Sequence, residues 1–182
     1  MALFGAVNTS TSLSRVIIIS GSDFRNGVTA PTDVTIGTTP TVPAKRFDAV
    51  AELATANIAM PFDFDPADVQ LILIQSLLNI QINGDAVDWT CNYIAVDNPS
   101  AAAHELFTKT STSATGSTTI NTTNGLAVAT QYTTSINLDV ADGSNPLSAD
   151  TISLSVEIGL SNLVGVTGIN LVAACLAYTA KY

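Results

Sequence analysis

The chain has 182 residues, of which 47% are hydrophobic and 12% charged, and its formal net charge is −9 with six Lys and Arg in all. That length supports one domain with a substantial core. Phosphate contacts need clustered Lys and Arg, and only Lys45-Arg46 are adjacent here, so a nucleic-acid partner is excluded.

No stretch approaches the ~20 uninterrupted apolar residues that span a bilayer, which excludes a membrane partner of that kind. Charged residues are about half their usual share, and Ser and Thr fill roughly a fifth of the chain. A mean hydropathy of +0.38 is high for a surface that faces water alone. The expectation is an assembly subunit, a homo-oligomer with much of its surface covered by neighbours. Met1-Ala2-Leu3-Phe4-Gly5 lacks the basic and long apolar regions of a signal peptide, so synthesis in the cytoplasm without export by the general route is expected.

Residues 1–14 are small, polar and mildly apolar, and read as an arm. Val16 to Ile19 is a short apolar strand ended by Ser20-Gly21. Residues 22–43 carry Thr, Gly and Pro31, Pro40 and Pro43, and read as an extended arm or meandering loop with one alternating strand around Asp33 to Ile36. The division is therefore an arm with a first strand over 1–45 and a sandwich domain over 46–182.

Phe47 to Met60 is Ala-rich, but Phe47, Ala49, Ala51 and Leu53 fit a period of two and Pro61 follows, so a strand is preferred to a helix. Pro61-Phe62-Asp63-Phe64-Asp65-Pro66 reads as a loop with little room for a ladder. Val69 to Gln75 is a strong strand. Asn83-Gly84-Asp85 signals a hairpin turn, and Val87 to Val96 alternates with Trp89, Cys91 and Tyr93 on one face.

Ser100 to Phe107 fits one or two helical turns. Thr108 to Thr119 is either a mobile loop or a long wet strand edge. Turn signals at Asn124-Gly125 and at Asp142 to Pro146 bracket an alternating strand over Ser135 to Val140. Thr151 to Ile158 alternates strictly. Leu171 to Tyr178 is apolar on both faces, as expected of a strand buried in a sandwich core or against another subunit. About eight short strands separated by turn signals predict an all-β, jelly-roll-like antiparallel β-sandwich with an extended N-terminal arm.

Chemistry-bearing constellations are few. Asp63, Asp65 and Asp68 share one loop, but it lacks the Gly and distal Glu of a calcium loop, so these carboxylates, like Asp139, Asp142 and Asp150, read as turn formers. His104 is the single histidine, with no nucleophile elbow to serve, and no phosphate-binding loop occurs. No catalytic, cofactor or metal residue is assigned, and the chain is not expected to be an enzyme. Trp89, Tyr93 and Phe107 invite comparison with a sugar-stacking platform, although alternation with Thr90 and Asn92 places Trp89 and Tyr93 in the core. Cys91 and Cys175 lie in apolar strand patterns and read as free core thiols, with a disulfide left open.

The order of features resembles that of small structural proteins of phage and prophage virions. It runs through Pro43 to Asp48, Ala59-Met60-Pro61-Phe62-Asp63-Phe64-Asp65, Val69 to Ile74, Asp88-Trp89, Thr108 to Thr123, Asp142 to Asp150, and Leu171 to Tyr182. That group's penultimate strand often carries an Arg-Asp pair where Glu157-Ile158-Gly159-Leu160 stands here. The resemblance implies a jelly-roll trimer located in the virion, most simply a capsid decoration (cement) protein that meets a major capsid protein or other virion subunits. Leu3, Phe4, Val7 and Leu13 would be the apolar anchors of its arm. A tail or fibre module, a single-jelly-roll major capsid protein and a carbohydrate-binding β-sandwich are the alternatives.

Overall fold

Alternating side chains and β-branched residues organise nearly every segment into strands. A computed structural model of the chain describes residues 13–78, 84–97, 111–119, 131–138 and 147–181. Among them, the strands are β1 (Leu13–Ser20), β2 (Arg25–Asn26), β3 (Thr32–Ile36), β4 (Val42–Phe47), β5 (Leu53–Ala59) and β6 (Phe64–Leu77). They continue with β7 (Ala86–Asp97), β8 (Thr112–Thr119), β9 (Gln131–Asn137), β10 (Thr151–Val164) and β11 (Ile169–Ala180).

All pairings are antiparallel and form two sheets. Sheet A runs β3-β4-β11-β6-β9, with β1 also on β11, and sheet B runs β2-β5-β10-β7-β8. From β4 onward the order interleaves early and late strands in both sheets, as two Greek keys do, and the result is a jelly-roll sandwich. β1 and β4 share one edge of β11: β1 pairs with residues 173–180 and β4 with residues 169–171. The chain turns between them at the 3-10 segment Gly21–Asp23. A Cβ at Gly21 would stand 2.6 Å from the Leu171 carbonyl oxygen, so only glycine passes there.

The core lies between the sheets. Phe47, Leu71, Leu73, Trp89, Leu154, Ile158 and Leu176 are fully enclosed, and the Phe47 ring meets Trp89 edge-on at 5.1 Å. Polar groups that enter the core are paired. The Trp89 indole donates to Gln75 Oε1 at 2.8 Å, Gln75 Nε2 donates to Thr134 Oγ1 at 2.9 Å, and the Tyr93 hydroxyl donates to the Leu138 carbonyl at 2.8 Å. Along the β8–β9 side the sheets come together: Thr118 Oγ1 donates to the Thr133 carbonyl at 2.9 Å, and a Cβ at Gly116 would meet Ser135 O at 2.6 Å.

Several expectations need correction. Residues 22–43 are more regular than a loop, because β3 and β4 form a hairpin that extends sheet A. Phe47 to Met60 is strand, but in two pieces. Glu52 folds back to accept from the Asp48 and Ala49 amides, which turns the chain and removes Ala49 and Ala51 from any ladder.

The ladder also extends into the Asp65-Pro66 loop. Phe64 pairs with Ala180 and Val69 with Tyr178, so residues 65–68 bulge from the strand at the point where Pro66 has no N–H to give. Residues 112–119 of the polar stretch are an edge strand, which settles one of its two readings. β9 begins at Gln131, earlier than expected. Ile152 is 47% exposed because a register shift between Thr151 and Ser153 breaks its phase with Leu154. The helical turns expected over 100–107, His104, Phe107, Asp139, Asp142 and the turn at Asn124-Gly125 lie outside the described residues.

Candidate functional surfaces

Strand alternation gives each sheet an outer face, and the two faces differ in chemistry. On sheet A the register sets Val16 and Ile18 of β1 beside Ala177 and Cys175 of β11, which in turn lie beside Gln70 and Ile72 of β6. Ile74 continues the row beside Ala173, and the β9 neighbours are Thr133, Ser135 and Asn137. Val16 is 56% and Ile18 74% exposed. None of these side chains is charged. Among the described residues β1 pairs on one edge, with β11.

The face is bounded by charge. At one end Asp68 accepts from the Thr179 hydroxyl. At the other, half-buried Arg46 donates to Asn170 Oδ1 at 3.2 Å.

The outer face of sheet B is polar. A shallow cavity of about 270 Å³ is lined by Thr55, Asn92, Ile94, Ser111, Ser155 and Glu157. Asn92 Nδ2 donates to Glu157 Oε1 across adjacent strands at 3.4 Å. Ser117 and Asn162 both donate to Asp88 farther along. Such a surface offers amide, hydroxyl and carboxylate groups to a polyhydroxylated ligand, but among the described residues no aromatic plane.

Of the residues considered for an aromatic platform, Trp89 and Tyr93 belong to the core, at 0% and 1% exposure, and Phe107 lies outside the described residues. Among the described residues Phe62 is the exposed aromatic side chain, alone on a turn at 98%.

The three carboxylates of the Phe62–Asp68 corner take separate partners. Asp63 meets Arg15 at 3.0 Å, Asp65 meets Lys181 at 2.9 Å, and Asp68 meets Thr179. The Lys181 ammonium holds the Asp65 carboxyl below the usual carboxylate range. Among the described residues no three His, Cys, Asp or Glu side chains gather as metal ligands do.

Both cysteines are free. Cys91 faces the core from sheet B, where burial pushes its thiol up to about 12, with the Glu157 carboxylate adding to the shift. Cys175 is not a core thiol: it stands half-buried on the outer face of sheet A, its thiol raised by partial burial. Of the expected arm anchors, Leu3, Phe4 and Val7 lie outside the described residues, and Leu13 heads β1 opposite Ala180. Sequence reading placed its named anchors on the arm and saw this face only through β11, whose run is apolar on both sides.

Neither a protein-family model nor a curated protein sequence matches the chain. Among solved structures, a xylan-binding module (CBM15) superposes with a TM-score of 0.51 at 10% identity, covering 93% of this chain and 99% of that one. A carbohydrate-binding module of the Cellvibrio mixtus lichenase 5A, solved with cellotriose, is similar at a TM-score of 0.45 and 12% identity, covering 91% and 97%. A module specific for non-crystalline cellulose (CBM28) gives 0.47 and 9%, covering 88% and 89%. The first of these likenesses shows a shared β-sandwich fold.

Proposed function

We propose that this chain is a non-catalytic structural subunit, a jelly-roll sandwich that works by packing against other subunits of a virion-type particle. The observation that carries this reading is the uncharged, largely apolar outer face of sheet A, where Val16 and Ile18 are exposed. A contiguous exposed apolar patch on a protein of this size marks an interaction surface. Capsid decoration is the version that the sequence resemblance favours, with Leu3, Phe4, Val7 and Leu13 as anchors of an N-terminal strap. Its work would be mechanical, since a subunit that binds only the assembled lattice stabilises it by mass action.

One observation favours a second reading. The fold shared with the xylan-binding module, together with the polar groove of sheet B, supports a carbohydrate-binding sandwich in which Asn92 and Glu157 hold sugar hydroxyls. Against it stands the burial of Trp89 and Tyr93, which removes the stacking plane those residues would supply.

Light scattering after size exclusion, run beside a calorimetric titration with xylo- and cello-oligosaccharides, separates the two. Assembly predicts a mass above the 18.8 kDa of one chain and no heat from either sugar. A single-chain mass with saturable sugar binding would overturn it in favour of the second reading.

A further inference from the structure

We propose that a second copy of this chain packs on the outer face of sheet A, about a two-fold axis that sets Asp68 of each copy over Arg46 of the other. The proposal rests on the assembly reading and names its first partner. Three observations argue for it.

The first is charge. A chain with a net charge of −9 repels its own copies, so two copies can meet closely only where both surfaces are neutral. The register leaves the outer face of sheet A uncharged between its ends, whereas Asp88 and Glu157 stand on sheet B. A face that suits itself is what an isologous contact needs.

The second is the charge at the two ends. Asp68 and Arg46 are held by the neutral partners Thr179 and Asn170. Along β6, Asp68 lies eight positions from Ser76, which pairs with Asn170 beside Arg46. That separation is roughly 26 Å, too far for the two charges to meet within one chain. A two-fold axis across the strands reverses their direction and brings each acidic end over the partner's basic end. The lateral offset between β6 and β4 calls for strands that cross obliquely, as in aligned sheet packing. An axis along the strands would instead set Asp68 on Asp68.

The third is area. Four strands about 4.8 Å apart over that length make a face of roughly 500 Å², so two faces remove on the order of 1,000 Å², where specific association begins. The pair should therefore be reversible on dilution.

The test is a charge swap read by light scattering across a dilution series. The wild-type chain is expected to approach the mass of two chains. Asp68→Arg and Arg46→Asp should each raise the dissociation constant roughly tenfold, because both place like charges together twice in the pair. Asp68→Arg with Arg46→Asp in one chain should restore pairing.

Arg46 is half-buried and its replacement can weaken the fold, so Ile18→Glu serves as a second probe. That side chain is 74% exposed, and its charge should leave a folded single chain with an unchanged circular dichroism spectrum. A wild-type chain that stays single at every concentration, a three-chain mass, or a double variant no better than its parents would overturn the pair. A three-chain mass would leave the assembly reading standing. A stable pair that ignores Ile18→Glu would also overturn this contact while sparing the broader reading.

Discussion

Trp89 shows how one residue fixes both layers. Its indole N–H donates to Gln75 of the opposite sheet, and Phe47 meets its ring edge-on. Trp89→Phe keeps most of the apolar burial but leaves Gln75 Oε1 without this donor in a dry core. The expected loss is about 1–3 kcal/mol in a urea melt, the cost of stranding a buried polar group. An unchanged midpoint would mean that Gln75 finds another donor.

Cys91 gives a pH dependence whose sign follows from burial. Burial pushes its folded thiol up to about 12, well above the 9.0 of an ordinary thiol. A group with a raised folded pKa contributes stability that is fully present below the unfolded pKa and is lost as pH rises through the folded one. Stability should thus fall between about pH 9 and about 12, and Cys91→Ala should flatten that part of the profile. Equal slopes in both proteins would assign the loss to other groups.

At the scale of elements, the closure of the sandwich beside β8 depends on Gly116. A side chain there must push against Ser135 O at 2.6 Å and Ile136 Cγ1 at 2.8 Å. Gly116→Val should cost about 1–3 kcal/mol through overpacking, seen as a lower thermal midpoint, whereas Gly84→Asn, at an open turn with φ 100°, should cost far less. Equal losses at the two sites would contradict the close approach of β8 to β9.

The same elements show what a sequence can carry. β7 was legible because Trp89, Cys91 and Tyr93 alternate without interruption, and the structure buries all three. β6 and β10 were legible only where their ladders are regular. The bulge around Pro66 and the register shift before Ser153 are set by the partner strand, so no local pattern announced them. The outer face of sheet A was half visible. The apolar run of β11 announced a strand covered on both sides, but pairs such as Ile18 with Cys175 and Val16 with Ala177 join residues far apart in the chain. Only the fold brings those side chains into one patch.

For the whole molecule, the unusual composition follows from the architecture. A sandwich normally offers water two outer faces, and this one offers water a polar face on sheet B while sheet A carries Val16, Ile18, Ile72, Ile74, Ala173 and Ala177 outward. On the assembly reading proposed above, neighbours cover the face of sheet A, and few charges are needed there. The residues ahead of β1 can be examined separately, by removing residues 1–12. The strap reading then predicts weaker binding to the assembled particle, and full occupancy by the truncated chain would remove the arm from the account.

The outer face of sheet A carries its own reporter in Cys175, while Cys91 is silent in the folded core. The most direct measurement is the rate at which Cys175 reacts with a small disulfide reagent as the protein is diluted, in the wild-type chain and in Ile18→Glu. Coverage of this face predicts slow modification at high concentration, faster modification on dilution, and a uniformly fast rate in Ile18→Glu. A rate that is the same at every concentration and in both proteins would contradict it, because the face would then be open to water whether or not the chains associate.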